Sequence, residues 1–166
     1  NGIVGASHVV DKITELIFHA EILKMALQCA IENYETTPSG MVYPNPLNVN
    51  VGKFHGASNY HSMVRRLHDL CGGQVITQPV EADYRNPELT PYFEKYFHTH
   101  KNVTVANRMR LYNLLRDLTA DTYGGWEFVT NIQAGGGLAA QKIVTYRSYD
   151  LAGACELAKK KAGIVG

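Results

Sequence analysis

Between His8 and Asn33 the residues Val9, Ile13, Leu16, Ala20, Leu23, Leu27 and Ala30 recur at steps of three and four. A helix of period 3.6 gathers those positions into one apolar stripe. That stripe is the seam of a helix packed in a bundle. Ser7 is placed to cap its start, and Asp11 lies near the favourable end of its dipole.

The pattern breaks between Tyr34 and Asn48, where Pro38, Gly40, Pro44 and Pro46 make a loop. A second helix is expected from about Asn50 to Leu70, with Val51, Phe54, Val64, Leu67 and Cys71 on one face. Gly52, Gly56, Ala57 and Ser58 are small enough to let a neighbouring helix approach, and Gly72-Gly73 is a stop signal. Gln74 to Asn86 reads as an ordered loop with a short extended piece, Val75-Ile76-Thr77. Asn86-Pro87-Glu88 reads as a helix start, with proline in the first turn. That helix runs to about Phe97 and carries Leu89, Tyr92, Phe93, Tyr96 and Phe97. A third long helix is expected from Val105 to Thr122, capped by Thr104, with Met109, Leu111, Tyr112, Leu114, Leu115 and Leu118 as its core face. After the glycine-rich segments come helices from Leu138 to Tyr149 and from Ala152 to Lys161. Lys159, Lys160 and Lys161 suit the negative end of the last helix. With little strand signal and no internal repeat, the fold class is all-α, an up-down helical bundle. Residues 1–166 are of single-domain size.

Composition narrows the function classes. The formal net charge is +1, which leaves no electrostatic footprint for nucleic acid. No apolar run approaches the roughly 20 residues that span a bilayer. Cys29, Cys71 and Cys155 are far apart and odd in number, which fits reduced thiols in a cytoplasmic protein. No Cys-x-x-Cys pair is present for a metal or cluster site.

Tyr123-Gly124-Gly125-Trp126 precedes Gly135-Gly136-Gly137, which leads straight into Leu138-Ala139-Ala140-Gln141-Lys142. Glycine costs about 1 kcal/mol against alanine inside a helix, so it marks a tight turn or a close approach. A glycine turn opening onto a helix also leaves several N–H groups free to face an anion. Gly135, Gly136, Gly137 and Leu138 are therefore the candidate site, and a phosphate-bearing ligand is its candidate occupant.

Other chemistry-bearing residues have plainer readings. His98 and His100 lack a carboxylate or cysteine at ligand spacing. His55, His61 and His68 lie on or near the second helix and read as polar packing. Tyr92 and Tyr96 share a helical face suited to a core or an interface. Glu81, Asp83 and Glu127 form no selected acid–base pair, and Cys71 reads as a small buried apolar residue. No catalytic residue and no metal ligand is selected.

Several segments, in this order, resemble the C-terminal helical domain of the 4-hydroxyphenylacetate 3-hydroxylase family, which includes 4-hydroxybutyryl-CoA dehydratase. They are residues 8–15 (HVVDKITE), 72–84 (GGQVITQPVEADY), Asn86-Pro87-Glu88 with Tyr96-Phe97, and Arg108-Met109-Arg110-Leu111 with Asp117-Leu118-Thr119. The glycine block through Ala140-Gln141-Lys142 and residues 146–150 (YRSYD) complete the set. The resemblance covers about Ala6 to Lys161. It implies a bundle like the C-terminal domain of acyl-CoA dehydrogenases, subunits joined through that bundle into dimers or tetramers, and FAD held between domains. It places Gly135, Gly136, Gly137 and Leu138 at the flavin.

Two branches follow from the resemblance. A hydroxylase-like monooxygenase uses reduced FAD, supplied by a separate flavin reductase, and O₂. A dehydratase-like enzyme combines FAD with a [4Fe–4S] cluster whose ligands lie upstream of the matched region, and carries a glutamate shortly before the glycine block. Here Phe128-Val129-Thr130-Asn131 stands there, with Glu127 a few positions early, and that departure favours the hydroxylase-like branch. In either branch the substrate-binding residues belong to upstream domains, as a separate chain or a lost segment, so this chain alone is expected to be inactive. A non-catalytic helical assembly subunit is the contrasting reading. Nucleic acid and membrane are not expected partners.

Overall fold

The first helix, α1 (Ser7–Glu32), lies antiparallel on α2 (Pro46–Cys71). This computed structural model describes residues 2–164. Lys12 pairs with Asp69 at 2.7 Å, Glu15 pairs with Arg66, and His19 meets His55, so contacts run along the whole helix pair. A short antiparallel hairpin reverses the chain between them. It comprises β1 (Glu35–Thr36) and β2 (Val42–Tyr43), in the register Glu35 opposite Tyr43. Two single helical turns follow, α3 (Gln74–Thr77) and α4 (Glu81–Tyr84), then α5 (Thr90–Tyr96) and α6 (Val105–Thr119). The chain ends in α7 (Thr122–Gln133), α8 (Leu138–Ser148) and α9 (Leu151–Ala162). Helix α2 is the hub, packed against α1, α7 and α8. The expected all-α bundle is the observed architecture.

The seam of α1 is narrower than its apolar residues suggest. Val9 and Ala30 are buried, and Leu16, His19, Leu23 and Ala26 are partly covered, whereas Ala20 and Leu27 are exposed. The observed seam is a heptad track whose alternate positions are the polar His19 and the small Ala26. Ala26 is needed there. A Cβ built on Gly52 of α2 would stand 2.9 Å from the Ala26 Cβ, and one on Gly56 would stand 3.3 Å from Leu23 Cδ2. The small residues of α2 thus let the two backbones close together, as the sequence implies.

Several boundaries differ from expectation. Helix α2 begins at Pro46 rather than Asn50, because Asn45 caps it by accepting the Asn48 N–H at 3.0 Å and proline suits the first turn. Val75-Ile76-Thr77 is helical, not extended. Backbone bonds to the Gly73 and Gln74 carbonyls close that turn against β-branched preference. The aromatic helix starts at Thr90 instead of Asn86, since Asn86 Oδ1 takes the Glu88 N–H and holds Asn86-Pro87-Glu88 in a turn. Ser7 does not cap α1, whose N-cap is Ala6. The third long helix stops at Thr119, and Asp121 opens a new one, accepting the Thr122 N–H at 2.7 Å. Gly124 and Gly125 therefore sit inside α7 rather than in a turn. Leu111, Leu114 and Leu118 point away from the packed side of α6, where Val105, Arg108, Met109 and Tyr112 are buried.

Arg108 replaces part of the expected apolar core. It donates to the Phe97 carbonyl at 3.1 Å and to Gln74 Oε1 at 2.6 Å, and its guanidinium lies 5.2 Å from the Tyr112 ring. One charged side chain thereby ties α3 and the end of α5 to α6.

The interhelical histidine contact carries a pH signature. His19 Nδ1 and His55 Nε2 are 3.0 Å apart, so one ring donates and the other accepts, and at least one must be neutral. Burial first, then the His19 charge, holds the His55 pKa below its ordinary value. The unfolded chain therefore takes up this proton first as pH falls. The contribution is complete above the unfolded value of about 6.5 and diminishes as pH drops below it towards the depressed folded pKa. Thermal melting over that range is expected to fall more steeply with acidification in the native protein than in a His55→Gln variant. Parallel slopes would show that the pair carries no such linkage.

Candidate functional site

Helix α7 ends at Gln133, and α8 begins at Leu138. Between them Gly136 adopts φ +83°, a left-handed conformation open to glycine. Its N–H donates to the Gln133 carbonyl at 3.0 Å, closing the turn. Gly137 is the N-cap of α8 and offers no side-chain acceptor. The first amides of α8 accordingly have no side-chain acceptor. Gln141, one turn into α8, binds the turn from behind. Its backbone N–H donates to the Gly137 carbonyl at 3.1 Å and its side-chain Nε2 to the Gly136 carbonyl at 2.6 Å.

This turn edges a cavity of about 500 Å³ formed by α1, α2 and α7. Gly135 lines it, whereas Gly136, Gly137 and Leu138 follow just beyond. Leu23, Gly52 and Gly56 supply part of its apolar wall, and Trp126 stands on it from α7. Polar groups converge as well: Lys53 from α2, Glu127 and Asn131 from α7, and Gln141 from α8. The Glu127 carboxylate accepts from Asn131 Nδ2. The neighbouring Glu127 carboxylate holds the Tyr123 phenol's pKa above the ordinary value. Burial first, and then the Glu127 charge, raises that of Tyr60.

Lys53 and Gln141 escaped the sequence reading as site residues. A Cβ added to Gly135 would lie 2.7 Å from Lys53 Cε and 3.4 Å from Gln141 Nε2, so both side chains converge on the glycine block. The available signal was the position of Gln141 one helical turn after Gly137. Lys53 carried none, because its approach depends on how α2 packs.

The remaining candidates take structural positions. His61 Nε2 meets the Phe128 carbonyl at 3.4 Å, with its ring edge-on to Phe128. His68 bonds Thr119 Oγ1 at 2.6 Å and pins α2 to the end of α6. His100 Nδ1 accepts the Asn102 N–H at 3.3 Å. Among the described residues no group of three or more histidine, cysteine, aspartate or glutamate side chains is placed to hold a metal. Tyr92 and Tyr96 are exposed and form no core within the chain. Glu81 pairs with Arg85, and Asp83 Oδ2 accepts the Val80 N–H. Burial raises the pKa of the half-buried Cys71, while Cys29 and Cys155 are exposed free thiols. Among the described residues no helix is long and apolar enough to cross a membrane.

Comparison with known proteins agrees with the architecture. The family model described as 4-hydroxyphenylacetate 3-hydroxylase C terminal matches residues 1–163. The 4-hydroxybutyryl-CoA dehydratase/vinylacetyl-CoA-Δ-isomerase of Clostridium aminobutyricum is 28% identical over 173 residues, covering 99% of this chain and 35% of that protein. An oxygen-tolerant archaeal 4-hydroxybutyryl-CoA dehydratase from N. maritimus superposes with a TM-score of 0.87 at 30% identity, over 100% of this chain and 33% of that one. The oxygenase component of 4-hydroxyphenylacetate 3-monooxygenase, solved with FAD, gives a TM-score of 0.87 at 21% identity, over 96% of this chain and 33% of that one. The last likeness shows the fold. The chain thus spans about a third of the length of these proteins. With its matched residues running from 1 to 163, the chain belongs to the 4-hydroxyphenylacetate 3-hydroxylase family, in the region of that family's C-terminal domain.

Proposed function

We propose that residues 1–166 form the single C-terminal helical domain of a flavin-dependent enzyme, contacting FAD through Gly135, Gly136, Gly137 and Leu138 and joining subunits. The observation that carries this reading is the turn at Gly136, φ +83°, which opens an uncapped helix start beside a cavity of cofactor-accommodating size. The residues present fit an anionic group. The bare Cα of Gly135 lets the Lys53 stem lie across the turn, and α8 starts without a side-chain cap, so an ammonium and uncapped amides stand together.

FAD, when bound, supplies redox chemistry; in the hydroxylase-like reading a separate reductase delivers its reduced form, and O₂ is the co-substrate. The domain's own residues have simpler tasks. The α8 amides orient a phosphate, Gln141 fixes the glycine turn, and Trp126 covers apolar cavity wall. Residues that bind the substrate are assigned to upstream domains, so the chain contributes a cofactor wall rather than a complete active site.

Joining subunits is supported by the surface. The accessible area is 11466 Å², against about 8,200 Å² for a compact monomer of this mass. Ile17, Phe18, Met25 and Ile31 stand exposed on α1, the kind of face that a second subunit or an upstream domain covers. Dimeric or tetrameric assembly belongs to this proposal.

A dehydratase-like enzyme with FAD and a [4Fe–4S] cluster is the second reading, and two observations favour it. The dehydratases match across 99–100% of the chain. Glu127, read as displaced from the glycine block, lies on the cavity wall with Gly135 because α7 is helical and turns 127, 130, 131 and 134 to one side. The full-length protein, purified anaerobically, is expected to show oxidised-flavin absorption after air exposure. Absence of flavin under reconstitution would sink the domain assignment. Iron and inorganic sulfide in stoichiometric amount select the dehydratase-like branch, and their clean absence selects the hydroxylase-like one.

A further inference from the structure

We propose that Lys53 is the cation that neutralises a phosphate of the bound flavin nucleotide, with Gln141 as the positioning residue behind the glycine turn. This assignment rests on the FAD reading of that turn.

Lys53 is exposed, but its stem is laid against the glycine block. Gly52 beside it faces Ala26, which seats α2 against α1 and leaves Lys53 on the side of α7 and α8. Its stem lies across Gly135, with Cε 2.7 Å and Nζ 3.6 Å from the place where a Cβ would stand. Any residue but glycine at 135 would push the ammonium away. Among the described residues no carboxylate lies within ion-pair distance of it. Glu127 shares the cavity, yet its carboxylate accepts from Asn131.

Electrostatics give that position its meaning. Lys53 lies at Gly135, between the C-terminal end of α7 and the start of α8, so its ammonium and the α8 amides are two positive groups at the edge of one cavity, and an anion there would meet both. Gln141 is an independent pointer. It is 2% exposed, its Nε2 is committed to the Gly136 carbonyl, and its Oε1 has no donor. A buried acceptor without a partner calls for a ligand that donates. An ammonium and uncapped amides suit a phosphate, and the unpartnered Gln141 Oε1 suits a hydroxyl donor. A flavin nucleotide, with its phosphate and ribityl hydroxyls, has both.

The competing account is that Lys53 only fills space over Gly135. Binding of FAD, FMN and riboflavin to the full-length apoprotein separates the two, because riboflavin lacks the phosphate. Lys53→Met, which keeps the stem and removes the charge, is expected to weaken FAD and FMN by roughly tenfold to a hundredfold. It should leave riboflavin affinity unchanged and flatten the salt dependence of FAD binding. Lys53→Arg is expected to retain most of the affinity, and Lys53→Gln repeats the loss should the methionine variant fold poorly. FAD affinity in Lys53→Met equal to that of the native protein would overturn the assignment, as would an equal loss for all three flavins. A native protein that binds no flavin overturns the site reading itself, a result distinct from a variant that binds like the native one.

Discussion

Gly124→Ala is expected to destabilise the protein by about 1–3 kcal/mol, and Gly124→Val by more. A Cβ at this position would lie 2.6 Å from the Thr119 carbonyl carbon and 2.9 Å from both the Thr119 Cα and nitrogen. All three are backbone atoms at the end of α6, so no side-chain rotation relieves the clash. The junction must open, and with it the contact of α7 on α6 and the His68 bond to Thr119. Gly125 is the internal control, because a Cβ there meets nothing within 4 Å. Gly125→Ala is expected to be neutral or to stabilise by up to about 1 kcal/mol through helix propensity. Urea denaturation of both variants in the full-length protein checks the contrast. Similar midpoints for the two would show that the close approach at Thr119 does not govern stability.

Gly136→Val is expected to act on ligand affinity more than on fold. At φ +83° a β-branched residue is strained by about 1–2 kcal/mol or more. The space around it is open, with the Ala140 Cβ at 3.9 Å the nearest neighbour, so the chain relieves strain by re-aiming the turn rather than by unfolding. Re-aiming would swing the start of α8 away from the flavin proposed to bind there, and flavin retention is expected to fall by about tenfold or more. Gly136→Asn, which tolerates the left-handed region, should keep most of it. Equilibrium titration with FAD reads the difference. Unchanged affinity in Gly136→Val would count against the site.

These two glycines also mark how far sequence reading reaches. Both segments looked like turns. Gly136 is one, because its φ is a local property that a glycine run before a helix pattern announces. Gly124 is in a helix, and its need for a bare Cα arises from Thr119, a neighbour that only the angle between α6 and α7 creates. The same division runs through the rest of the fold. The periodicity of α1 and the start of α8 were legible, since each depends on its own residues. The displacement of the α1 seam to His19 and Ala26 was not, because Gly52 and His55 decide it from the other helix. At the candidate site, Gly135 stood out from its place in the glycine block, whereas Lys53, proposed beside it, lies 82 positions upstream. Only the packing of α2 on the α7–α8 turn brings the two together.

The unusually large surface of the bundle has an evolutionary meaning. Under the proposed assembly, a helix whose outer face carries Ile17, Phe18, Met25 and Ile31 is subject to two sets of demands, one from α2 and one from the surface that covers it. Substitutions on that outer side would pass unnoticed in the isolated fold and register only as changed association. Divergence there is therefore expected to proceed in compensating pairs across a boundary between polypeptide surfaces. The track facing α2 can drift with its own partner inside one chain.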